Sequence, residues 1–320
     1  WARLRPDPIR RIHHDMHSPL PVFALLFNAL VWGLTWWPFR QMNDAGLHPL
    51  WATAVMYAGV LIVLLLFRPG ILKQIKDHPG LWLLALSSGL NNVSFNWAIT
   101  IGDVVRVILL FYLMPAWAIL LAWKILGERP TPAAIGRLLL AFCGVFLVIW
   151  PKEGGLGRLF SALTLADWLA LFGGFSFAFT NVTLRRMHAT PGQARMFVMF
   201  GGCMITAVIA AIVGGKLGLV PAFPAPNETW VMTAALLAVV LFIGNWALQY
   251  GASRLAASVT AVVMLSEVAF ASVSSVLLGA AQLDARSFAG GALILIAAAW
   301  SAWPRRAKTA PAPTETKATP

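Results

Sequence analysis

The sequence predicts an all-α polytopic membrane protein, in which ten transmembrane helices form two inverted five-helix repeats and both termini lie in the cytoplasm. Three observations predict this. Of the 320 residues, 59% are hydrophobic and 11% charged, with a mean hydropathy of +0.75, whereas a soluble domain carries roughly 25% charged residues. The apolar residues come in runs of about twenty, the length that crosses the hydrocarbon core as a helix. Strings in the first half also reappear, in order, in the second.

Residues 1–18 hold "WARLRPDPIRRIHHD" with Met16 just after it. This basic arm reads as an upstream extension or a fusion remnant and is set apart from the fold. In residues 19–150, candidate spans cover 20–41, 49–67, 80–101, 104–124 and 132–150. An outer linker follows at 151–165, and residues 166–303 supply 166–185, 195–214, 230–250, 255–279 and 286–303. The breakers "RPG", "DHPG", "GERPTP" and "PKEGG" mark gaps between spans, because Gly and Pro interrupt helical pairing. The tail 304–320, rich in Pro, Thr and Ala, has too little apolar surface to fold and is read as a disordered cytoplasmic tail.

With the N-terminus inside, the loops and ends on the inner side collect 18 Lys and Arg and those on the outer side 6. That asymmetry orients the bundle. It also accounts for the net charge of +12 without nucleic acid, since the cations are spread through short loops and do not form one basic face.

"FNWAITIG" (95–102) matches "GNWALQYG" (244–251), pairing Asn96 with Asn245 and Trp97 with Trp246, and "WGLTW" (32–36) matches "GGFSF" (173–177). Because each half has five spans, the second enters the membrane from the opposite side. Inverted halves of this kind place a substrate site near the midplane of secondary transporters.

These features resemble the drug/metabolite transporter superfamily, specifically its EamA-type members with ten helices. The resemblance is carried by "WGLTW" and by "FYLMPAWAILLAWKILGERPTPAAIGRLLLAFCGVFLV" (111–148), and spans about residues 20–303. It implies a secondary transporter, an exporter of small metabolites such as amino acids or related amphipathic compounds, in a bacterial inner (plasma) membrane. Two departures stand out. Val268 follows Glu267 where the family often has Glu-Pro, and "GAAQ" stands where the first half has "GERP". A proline-dependent kink in the ninth span is therefore not expected.

Polar residues inside spans are the candidate site. Glu267 is the lone charge of "LAASVTAVVMLSEVAFASVSSVLLGAA" (255–281). A carboxylate near a span's centre costs about 2.5–3.5 kcal/mol on insertion scales. It is read either as a substrate and proton-coupling group or as a structural hydrogen bond to a facing helix. Thr260, Glu267 and Ser274 are seven apart and share one face. Arg106 either snorkels to the headgroups or offers a fixed charge to a substrate carboxylate. Asn92 and Asn96 in the third span, and Asn245 and Gln249 in the eighth, recur at every fourth position and either join helices or line the cavity. Trp36 lies in the aromatic belt or in the cavity, Tyr112 is a cavity candidate, and Pro115 is expected to kink the fourth span.

No cofactor and no metal site are expected. Cys143 and Cys203 read as small apolar packing, and no histidine lies in a span. The lack of a catalytic cluster argues against an intramembrane enzyme, and no Walker-type phosphate loop occurs. A non-transporting scaffold or accessory subunit is the alternative. The expected partners are a small-molecule substrate and the lipid bilayer.

Overall fold

The computed structural model describes residues 19–67, 70, 75, 78–127, 129–150, 163–187, 190–252, 254–255, 260, 263–281 and 284–302. The basic arm, most of the outer linker and the tail lie outside them. Among the described residues every regular element is a helix. In chain order these are α1 Leu20–Leu34, α2 Trp36–Asp44, α3 Pro49–Phe67, α4 Leu81–Ile101, α5 Val104–Phe111, α6 Met114–Leu126, α7 Pro132–Ile149, α8 Leu165–Arg186, α9 Gly192–Lys216, α10 Glu228–Ala252, α11 Ser266–Leu277 and α12 Ala285–Ala302.

Local chemistry sets several boundaries. Asp103 accepts the Arg106 N–H at the start of α5, and Thr131 accepts the Ala134 N–H at the start of α7. Thr164 and Asp167 form a reciprocal capping box on α8. Gly127 and Gly279, at φ +71° and +68°, provide the left-handed turns that follow α6 and α11.

Among the described residues, seven segments are long and apolar enough to cross a membrane, and α1 with α2 and α5 with α6 each count as one of them. The other three expected spans differ for physical reasons. α4 has 21 residues, but Ser87, Ser88, Asn91, Asn92, Ser94 and Asn96 make it polar. The ninth span is interrupted, so that α11 begins only at Ser266 and has 12 residues. The apolar segment Ala285–Trp300 is likewise short. Leu66, Leu217, Leu236, Leu277 and Phe288 are exposed, as expected where lipid is the solvent and apolar side chains need not hide.

Packing repeats when the halves are exchanged. The first span corresponds to α8, α3 to α9, α4 to α10, α5–α6 to α11, and α7 to α12. Under that exchange the α4–α8 contact becomes α10–α1, and the α6–α8 contact becomes α11–α1; all four are major contacts. The α3–α9 and α7–α12 contacts map onto themselves. In α7–α12, Gly144 and Gly290 face each other so closely that a β-carbon on either would lie 2.5–2.6 Å from the other's carbonyl oxygen.

Candidate functional site

Three spans break near one place. The first breaks at Thr35, which keeps helical angles while its hydroxyl donates to the Trp32 carbonyl at 2.7 Å. The fourth breaks at Tyr112–Leu113. Pro115 has no N–H to return to the Phe111 carbonyl, and Gly174 of α8 packs directly against that exposed main chain, where a β-carbon would meet Phe111 O at 2.5 Å. The ninth breaks at Leu265 without a proline, and the Ser266 hydroxyl donates to the Val263 carbonyl at 2.7 Å. Leu113 and Leu265 hold equivalent positions in the two halves. Each immediately precedes its second half-helix and lies fourteen residues before its left-handed glycine, Gly127 or Gly279.

These breaks bring Glu267, Tyr112, Trp36 and Ser274 together. The Tyr112 hydroxyl donates to Glu267 Oε2 at 3.3 Å. The Trp36 indole N–H donates to Ser274 Oγ at 3.0 Å. Trp36 and Tyr112 are both buried, and Glu267 is half-buried in the first turn of α11. The stripe read from sequence thus continues within α11 as Glu267 and Ser274, seven residues apart on one face. Thr260 precedes the break, and its hydroxyl is buried without a partner among the described residues.

The amide residues sit elsewhere. Asn92 accepts a hydrogen bond from Tyr57 and donates to the Ser88 carbonyl at 3.1 Å. Asn96 is buried and donates to Thr53 Oγ1 at 3.0 Å, joining α4 to α3. Asn245 lines an apolar hollow with Trp32, Met56 and Phe200. The side chain of Gln249 lies outside the described residues. Trp246, the repeat partner of Trp97, is exposed, as is Cys143. Exposure removes Cys143 from the apolar packing that its sequence context suggested.

Arg106 meets a partner that neither sequence reading included. Its Nε and Nη2 donate to the two carboxylate oxygens of Asp167 at 2.7 and 3.1 Å, and Nη1 donates to the Val148 carbonyl at 2.9 Å. Asp167 is 1% exposed. This two-pronged pair joins α5 to α8, with α7 beside it, and it borders a cavity of about 870 Å³. The cavity lies where α5 and α8 begin and α7 ends, and Asp103, Asp284 and Arg286 also line it. Near Tyr112 the hollow shared with Pro115, Ile119 and Arg137 measures about 10 Å³, roughly enough for one water. Among the described residues no group of three or more His, Cys, Asp or Glu could hold a metal ion.

Asn28 was missed. It is fully buried and donates to the Gly244 carbonyl at 2.8 Å, tying α1 to α10 across the halves. The cue was present, because Asn28 is the only hydrogen-bonding side chain between Leu20 and Val31.

The profile of the EamA-like transporter family matches residues 19–150 and 164–303, one segment for each half of the exchanged packing. The chain belongs to the EamA-like transporter family. No curated protein is similar at a significant level. Among solved structures, one described as "Crystal structure of protein" has a TM-score of 0.55 and 17% identity, covering 88% of this chain and 96% of its own. At that identity the likeness concerns the fold alone. This EamA-like chain is therefore an integral, multi-pass membrane protein of a transporter family.

Proposed function

We propose that this EamA-like protein is a secondary transporter that exports small amphipathic metabolites, such as amino acids or related compounds, by alternating access. Its ten crossings include α4 and the interrupted ninth span, with both termini inside a bacterial inner membrane. The observation that carries this reading is the convergence of three broken spans on the Glu267–Tyr112 pair. Discontinuous helices free main-chain groups and soften the bundle at the midplane, where carriers bind substrate.

Glu267 is the substrate-amine or proton-coupling group in this reading, and Tyr112 positions its carboxylate. Trp36 borders the same region through Ser274, and Thr260 is assigned to the substrate route in this reading. Asn92, Asn96, Asn245 and Gln249 contribute polar contacts when the halves move. Arg106 and Asp167 flank the mouth of the wide cavity where α5 and α8 begin, with Arg106 offering its charge to a substrate carboxylate in this reading. A wide cavity at one end and a near-closed hollow at Tyr112 are the geometry expected of a carrier open to one side.

The test is counterflow of radiolabelled amino acids in proteoliposomes holding the full chain, across pH 5.5–8.5 (a range chosen about the unperturbed His and carboxylate values). Glu267→Gln should abolish flux or remove its pH dependence. Unchanged flux with an unchanged pH profile would take Glu267 out of the mechanism. Absence of flux for every substrate tried in the wild type would favour a scaffold.

A further inference from the structure

Arg40 is the one Lys or Arg of the first span. A cation near the end of a span ordinarily reaches for water. Here the guanidinium turns inward instead. Its carbon lies 5.3 Å from the centre of the buried Trp36 ring, and Nη2 donates to the Gly102 carbonyl. Nε is buried without a partner among the described residues. The Gly102 carbonyl stands at the end of α4, where main-chain acceptors lack helical partners and a cation is favoured. Asp44 and Asp103 lie within electrostatic reach of the guanidinium. Arg40 thus fastens α2 to the end of α4, at a glycine that also lines the wide cavity. Trp36 extends the line by donating to Ser274 of α11.

The repeat provides an internal control. Its matched strings pair Arg40 with Asn181, Gly102 with Gly251, and Leu25 with Ala166. The corner itself is alike in both halves. A β-carbon on Gly102 would come within 2.6 Å of Ala166 Cβ, and one on Gly251 within 2.6 Å of Leu25 Cγ. The fastening is not alike. Asn181 is exposed and donates to the Phe177 carbonyl of its own helix at 2.9 Å. α2 packs along α4, whereas among the described residues α8 makes no contact of that extent with α10. The same seam is therefore shut at the cavity end of the bundle and slack at the other.

We propose that Arg40 is a positioning residue that latches the first span to the third, holding their seam shut in one state of the carrier and releasing it in the other. The inference rests on the halves exchanging shapes, as the proposed function requires, and on no particular substrate. When each half takes the other's shape, α2 leaves α4 and α8 closes on α10, so Arg40 gives up Gly102. The lost bond is charge-assisted, and its removal favours the released state by about tenfold.

Electron–electron distance measurements on the full chain in proteoliposomes test the latch. Nitroxides are placed at the shut seam through Asn43→Cys and Ile101→Cys, both at exposed positions. A Cys143→Ala background leaves only the buried Cys203. Arg40→Gln should raise the ratio of long to short separations about tenfold. Arg40→Lys, which keeps a charge and a donor, should restore most of the short separation. Asn181→Arg alters an exposed side chain, so it folds even if the Arg40 variants do not; it offers a cation to Gly251 and should shift the ratio the same way. Arg40→Asn combined with Asn181→Arg moves the latch to the other end of the bundle, and the long separation should then predominate. Separations unaltered in Asn181→Arg and in the exchanged variant would overturn the latch. Counterflow of radiolabelled amino acids on the same variants separates this inference from the function it rests on. Separations that shift without flux keep the latch and sink the carrier, whereas flux with unaltered separations keeps the carrier and sinks the latch.

Discussion

Gly33 rests on the main chain of Glu267. A β-carbon at position 33 would come within 2.8 Å of the Glu267 carbonyl oxygen and equally near Phe270 Cβ. The first span therefore reaches the break in the ninth through a position that only hydrogen can fill. Gly33→Ala should destabilise the protein by about 1–3 kcal/mol, the usual penalty of overpacking a close contact. Thermal unfolding in detergent would register it. Gly136→Ala, where a β-carbon finds its nearest neighbour at an ordinary 3.6 Å, should leave the midpoint almost unchanged.

Tyr112→Phe removes the hydroxyl that donates to Glu267 and leaves the ring packed against Phe111. The expected loss is about 0.5–1.5 kcal/mol, the net worth of one such hydrogen bond. Measured in a cycle with Glu267→Gln, the two changes should be non-additive, because residues that share one bond couple. Strict additivity would mean that the two side chains do not act on each other.

The Arg106–Asp167 pair should behave as a buried pair. Asp167→Asn should destabilise by about 3–5 kcal/mol, since one charge is left uncompensated, and it also weakens the capping box on α8. Arg106→Gln should cost less, because Arg106 is 28% exposed and water can partly replace its partner. The double variant should be more stable than the sum of the single losses predicts. Chemical unfolding of all four forms tests this.

His48, in the turn between α2 and α3, supplies a pH dependence. Burial pushes its imidazole down to about 4 from an ordinary 6.5. Its Nδ1 accepts the Leu50 N–H at 3.3 Å, and its ring meets the edge of Trp97. The folded chain thus holds this proton less tightly than the unfolded chain. The stabilisation is fully present above pH 6.5 and is lost as the pH falls through about 4. His48→Gln should flatten the part of the midpoint-against-pH curve between those values. A curve identical to that of the wild type would show that His48 does not titrate with folding.

Much of the fold is legible in residue patterns, because lipid demands long apolar helices and turns interrupt them with Gly, Pro and charge. Glu267 stood out for the same reason, as a lone charge in an apolar run. What was hidden depends on distance along the chain. Asp167 reads locally as an ordinary first-turn acid, and nothing near it in sequence announces Arg106, 61 residues away. The break at Leu265 has no proline to mark it; it is visible only in the helix geometry and in Ser266 turning back onto Val263. Asn28 was overlooked although its isolation among apolar neighbours was the same kind of cue as that of Glu267. The amides of α4 were correctly seen to share a face, but period alone does not say whether that face meets a neighbouring helix or open space.

The Gly144–Gly290 contact has a mechanical corollary. Since the α7–α12 seam is its own image when the halves trade places, a motion that gives each half the other's shape leaves this seam where it began. In the alternating-access reading proposed above it is one of two fixed contacts, with the α3–α9 seam as the other. A short covalent tether across it should be tolerated by a working protein, whereas one between α1 and α11 should lock it.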